Sequence, residues 1–196
     1  MSWTAPRTWA TNEVVTSTIM NTHVRDNELS LMHLLDLQTA DVDVVSTTSE
    51  TSLHSIVVPA NALTSTGHVN LELQGDMLYN NTTSDTVVFR IKFGGVTHIT
   101  TASLGFGNST NATRGGWSLV AQVWNKGATN SQFVTMLFQG TTYGSGGNGG
   151  QYFGTPAIGS IDTTADQTFQ VTAQLSASSA NFSVRKRVSR SMIGQN

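Results

Sequence analysis

Val87-Val88-Phe89-Arg90-Ile91-Lys92-Phe93-Gly94-Gly95 decides the fold class. Val87, Phe89, Ile91 and Phe93 take alternate positions, with Val88, Arg90 and Lys92 between them. Side chains along a strand point to opposite faces in turn, so this period of two buries one side of a sheet and leaves the other wet. The glycine pair then ends the strand. The same period recurs on both sides. Val69, Leu71 and Leu73 alternate with Asn70, Glu72 and Gln74 up to Gly75, which reads as a bulge or bend. Leu53, Ile56 and Val58 run into a Pro59-Ala60-Asn61 turn, and Val96, His98 and Ile99 mark a short strand. Trp117, Leu119, Ala121 and Val123 alternate with Ser118, Val120 and Gln122, followed by a Lys126-Gly127 turn. Ser131 to Gln139 is apolar on both faces, with Phe133 and Leu137 on one and Val134, Met136 and Phe138 on the other. Phe169, Val171, Ala173 and Leu175 alternate with polar residues, and Asn181 to Val188 closes the series. Strands at this spacing, with turn residues between them and no alternating helices, predict an all-β antiparallel β-sandwich or barrel.

Composition agrees. Of 196 residues, 11% are charged, against about 25% in an average soluble domain. Ser, Thr and Asn fill the gap, and β-branched threonine suits a pleated surface. A net charge of −2 lacks the basic footprint of a nucleic-acid binder. No apolar run approaches the roughly 20 residues of a membrane-spanning helix, and Met1-Ser2-Trp3-Thr4 does not open a secretory leader. With no Cys, the chain has no disulfides, thiolate metal ligands or Cys nucleophile, so packing and hydrogen bonds must hold the fold.

Ahead of the sandwich, the sequence predicts a separate segment, residues 1–45, and places the β-domain at 46–196. Trp3 and Trp9 flank Pro6 in an irregular arm. Two indoles outside any periodic pattern either fold back on the domain or anchor to a neighbouring subunit. From about 16 to 37 the sequence predicts an α-helix. Thr16 and Ser17 are candidate N-caps, and neither Gly nor Pro interrupts the stretch. Met20, Val24, Asn27, Leu31 and Leu34 follow steps of four, three, four and three, a heptad seam with one polar layer at Asn27. The seam serves either self-association or packing on the chain's own sheet.

Few residues point to chemistry. His23, His33, His54, His68 and His98 show no metal-binding pairing. Asp41 and Asp43 lack the rest of a calcium loop. No nucleophile elbow is present, and nothing in their positions singles out Glu72 and Asp76 as a glycosidase pair. The expectation is a non-enzymatic protein without cofactor or metal. The loop Gly140 to Gly154 is glycine-rich but lacks the Lys-Ser/Thr ending of a phosphate cradle. Its Tyr143, Asn148, Tyr152 and Phe153 are the candidate contacts for a partner or a sugar. Arg185-Lys186-Arg187-Val188-Ser189-Arg190 reads either as a charged edge strand or as a surface for an anionic partner.

Thr8-Trp9-Ala10-Thr11-Asn12-Glu13-Val14-Val15-Thr16, followed by Met20-Asn21-Thr22-His23-Val24-Arg25-Asp26-Asn27, resembles the N-terminal segment common in tailed-bacteriophage virion proteins. Those have a Gly where this chain has Asn12. Glu50 to Leu53, Pro59 to Leu63, Leu71 to Gly75, Arg90 to Gly95 and Asp166 to Leu175 resemble the β-domain of the same minor tail, fibre and head-decoration proteins. The resemblance implies a jelly-roll-like sandwich, often homotrimeric, docked by its N-terminal segment (Trp3, Trp9, Met20, Val24) to a capsid, neck or tail protein. It implies assembly in the host cytoplasm and residence in the virion. A receptor-binding module holding a host-surface glycan is the alternative.

Overall fold

The computed structural model describes residues 11–21, 33–81, 85–105, 109–110, 112–140 and 150–194. One short helix, α1 (Ser17–Met20), precedes the strands. In chain order these are β1 (His33–Gln38), β2 (Val42–Val45), β3 (Thr51–Val58), β4 (His68–Asn81), β5 (Thr86–Phe93), β6 (Val96–Thr100) and β7 (Leu104–Gly105). There follow β8 (Ser109–Thr110), β9 (Gly115–Asn125), β10 (Gln132–Gly140), β11 (Gly150–Phe153), β12 (Ala157–Gly159), β13 (Gln167–Leu175) and β14 (Phe182–Gly194).

Among the described residues the strands form two sheets, antiparallel throughout. The larger runs β1-β14-β4-β9-β10-β11, with β2 also on β14, β8 on β4 and β12 on β10. The smaller runs β3-β13-β5-β6, with β7 on β5. The two sheets form a sandwich, as the alternating pattern requires. Val87, Phe89, Ile91 and Phe93 are all buried, and Phe93 pairs with Val96 across Gly94 and Gly95. Both glycines have positive φ, 59° and 77°, which a two-residue hairpin turn demands. Between the sheets, Phe89 meets Phe138 and Trp117 with ring centroids 5.0 and 5.6 Å apart. At one end, the buried Gln132 amide ties the loops down. It donates to Asn125 Oδ1 (2.9 Å) and Ile161 O (2.9 Å), and accepts from Ile161 N (2.7 Å). Asn125 in turn donates to Leu63 O and Thr163 Oγ1.

Several expectations need correction. The helix does not run to residue 37. Thr16 caps α1, its Oγ1 accepting from Ile19 N at 3.3 Å, but residues 33–38 are strand β1, paired with β14. Among the described residues the sandwich therefore begins at His33, ahead of the boundary at 46, and Leu34 sits on a strand rather than a helical seam. Asn12 has φ 62°, a left-handed conformation that Gly and Asn both enter readily. Trp3, Trp9, Val24, Asn27 and Leu31 lie outside the described residues.

The basic run is not on an edge: β14 lies between β4 on one side and β1 and β2 on the other. Nor is the bulge at Gly75. The extra residue is Arg187, between partners Lys186↔Gly75 and Val188↔Gln74. Lys186 follows Phe182 and Val184 inward, the shift moves the inward phase to Ser189, and both are fully buried.

Candidate functional site

The outer face of the larger sheet brings together residues far apart in sequence. Register places Gln74, Ser118, Gln139 and Gln151 in one row across β4, β9, β10 and β11. Gln74, Ser118 and Gln139 of this row, with Gly75, Gly116, Trp117 and Gly140, line a groove of about 420 Å³. Gln74 also borders a second depression of about 270 Å³ with Glu72, Val188, Ser189 and Arg190. Among the described residues, none forms a hydrogen bond with the side chains of Gln74, Ser118, Gln139 or Gln151. Trp117 is 4% exposed, and its buried indole Nε1 also lacks an acceptor among them.

Charges around this groove are mutually neutralised. Arg190 Nε donates to Glu72 Oε2 at 2.7 Å. Asp76 accepts from Arg114 and from Arg187, whose other contact is Asp41 at 2.6 Å, while Arg185 pairs with Asp43. Burial pushes the Asp76 carboxyl up, and the hydrogen bonds and charges of Arg114 and Arg187 together outweigh it, leaving it below the ordinary carboxylate value. Glu72 and Asp76 are thus held in ion pairs, and the basic run is largely occupied with the chain's own acids.

Beside the groove lies an apolar strip. Phe133 has Trp124 and Ile158 as register partners, and Leu137 has Val120 and Phe153. Phe133, Ile158 and Phe153 are exposed, so among the described residues nothing covers this part of the outer face of β10. The predicted glycan loop is divided. Tyr143 and Asn148 lie outside the described residues. Tyr152 and Phe153 belong to β11, not to a loop, and face opposite ways: Tyr152 packs on the core with its hydroxyl accepting from Ala102 N (3.2 Å), while Phe153 is 69% exposed.

At the opposite edge β1 has reversed polarity. Leu34 and Leu37 are 61% and 54% exposed, with half-buried Met192 the register partner of Leu34. Asp36 and Gln38 point inward, although Leu35 packs on the core. Inside, His54 Nδ1 lies 2.9 Å from Ser189 Oγ, His54 Nε2 lies 3.7 Å from Asp36 Oδ2, and Lys186 Nζ donates to Gln38 Oε1 at 3.5 Å. Desolvation lowers the His54 pKa; Asp36 opposes this and Lys186 reinforces it. Ser, His and Asp are the residue types of a hydrolytic triad, but Ser189 at 1% exposed offers no surface to a substrate. Among the described residues, no cluster of His, Asp or Glu has the makings of a metal site. Sequence reasoning missed the groove and this cluster, since their members meet only through strand register.

No protein-family model matches the sequence, and no curated protein matches it. Among solved structures, the CBM2 module of the evolved Dit of Lactobacillus casei BL23 phage J-1 is 10% identical, covers 70% of this chain and 67% of its own, and has a TM-score of 0.35. The metal-free lectin I-B4 from Griffonia simplicifolia is 10% identical, with coverages of 75% and 78% and a TM-score of 0.31. Peanut lectin is 7% identical, with coverages of 84% and 91% and a TM-score of 0.32. Likeness at this level carries no functional argument.

Proposed function

We propose that this chain is a non-enzymatic structural protein of a tailed-bacteriophage virion. In this reading it is a homotrimeric fibre, appendage or capsid-decoration component, docked through its N-terminal segment so that the sandwich is displayed. The resemblance of residues 8–27 and of the β-domain segments supplies the virion context. The single observation that carries self-assembly is the reversed polarity of β1. A strand that turns Asp36 and Gln38 inward and presents Leu34 and Leu37 outward is stable as an exposed edge only at a cost. Covering each leucine recovers up to about 1.5–3 kcal/mol, and a second copy of the chain supplies that cover. In this reading Leu34 serves the interface from a strand rather than from a helical seam. Sparse charge suits this arrangement, because few ions need desolvating at the contact.

The experiment is light scattering on the purified full chain, together with electron microscopy of particles carrying a truncation of residues 1–32. The expected results are a trimer in solution and particles that lack the protein when the leader is removed. Normal incorporation of the truncated chain would refute docking.

A second reading, adhesion to a host-surface glycan, is favoured by the groove lined by Gln74, Ser118 and Gln139, whose side chains no described residue engages.

A further inference from the structure

We infer that the groove over Gly75, Gly116 and Gly140 is a binding site for a neutral oligosaccharide. This deepens the adhesion reading and is independent of self-assembly. Four observations carry it.

The first is the row Gln74, Ser118, Gln139 and Gln151. Three amides and a hydroxyl offer both donors and acceptors, the complement of sugar hydroxyls, and none is engaged by a described residue. Three strand spacings of about 4.8 Å make the row about 14 Å long, enough for a short chain of sugars rather than a single ring.

The second is the floor. Backbone of Gly75, Gly116 and Gly140 lines it, and a Cβ at Gly116 would meet no atom within 4 Å, so a sugar ring can approach the sheet closely there.

The third is the rim. Phe153 stands one row from Gln151, two-thirds exposed, and offers an apolar face to the C–H side of a sugar ring.

The fourth is charge. The acids and arginines beside the groove, Glu72 with Arg190 and Asp76 with Arg114 and Arg187, are paired with one another. That leaves recognition to uncharged groups and favours a neutral glycan over a sulfated or sialylated one.

Gly116 provides a plug that spares the fold, because a Cβ there meets no atom within 4 Å. The test uses the full chain on a panel of linear neutral oligosaccharides of glucose, galactose, mannose and rhamnose, with sulfated and sialylated chains beside them. Calorimetry on the strongest binder follows, for the native chain, Gly116→Leu and Gln74→Ala/Gln139→Ala. The expected result is a neutral ligand whose affinity falls about tenfold or more in each variant and barely changes with salt. Binding to a neutral saccharide that persists in both variants would overturn the site while leaving adhesion standing. A preference for anionic chains that salt abolishes would overturn the ligand class. No binding anywhere on the panel would overturn both the adhesion reading and this site.

Discussion

Gly75 and Trp117 are register partners across β4 and β9, and the indole occupies the space a side chain on residue 75 would need. A Cβ at Gly75 would lie 2.8 Å from Trp117 Cζ2 and closer still to the carbonyl oxygen of Arg185. The backbone contact matters most, since a ring can tilt but the β4–β14 ladder cannot give way locally. The Arg187 bulge directly after Lys186, the residue opposite Gly75, and the glycine itself thus form one device that lets a large aromatic lie flat beneath the sheet surface.

Gly75→Ala should therefore destabilise by about 3 kcal/mol or more, at the upper end of overpacking effects. Gly116→Ala on the same face should be close to neutral, because its Cβ meets nothing. Chemical denaturation of both variants checks the contrast.

Gln132→Leu should cost about 2–3 kcal/mol. The change removes the bonds to Asn125 and Ile161 and leaves the Ile161 N–H without its acceptor. Because Asn125 and Thr163 share the network, proteolysis should open the 160–166 and 59–67 loops first.

Acid should destabilise the chain before its carboxylates titrate. His54, His68 and His98 all have pKa values lowered from 6.5, chiefly by desolvation. A histidine lowered in the folded state binds its proton more readily when unfolded. The stability it contributes is complete above 6.5 and is lost as pH falls from there toward the folded value. Melting temperature should drop between about pH 7 and about pH 5, and His54→Gln should make that slope shallower while keeping a partner for Ser189. A flat profile across this range would contradict the assignment.

Asp76→Asn should destabilise by about 1 kcal/mol, and by less at high salt, because it leaves Arg114 and Arg187 facing each other without their shared acid. Asp76 is lowered below 3.8, so its stabilising effect is present above that value and is lost as pH falls through the folded value. Thermal melts of the variant and the native chain at two salt concentrations measure both effects.

The core strands were readable because their pattern is local. Val87 to Phe93 and Phe169 to Leu175 alternate in sequence just as they alternate in burial. Leu34-Leu35-Asp36-Leu37-Gln38 was not readable. These residues favour helix and include no β-branched side chain, and the partners that draw Asp36 and Gln38 inward, His54 on β3 and Lys186 on β14, are remote in sequence. The sequence points to the glycine-rich loop for glycan contacts because aromatics flank it. Of these, Phe153 does reach the outer face, while Tyr152 turns to the core on the period-two rule of β11. The Gln74–Ser118–Gln139 row was invisible for a different reason: each member looks like an ordinary solvent-facing strand residue until register aligns them.

Self-assembly through β1 is decided by light scattering after size exclusion, on the full chain and on Leu34→Ser/Leu37→Ser. The expected result is a native particle of three chain masses and a variant that runs as one chain with an unchanged far-ultraviolet spectrum. A native protein that stays at one chain mass at every concentration would contradict it.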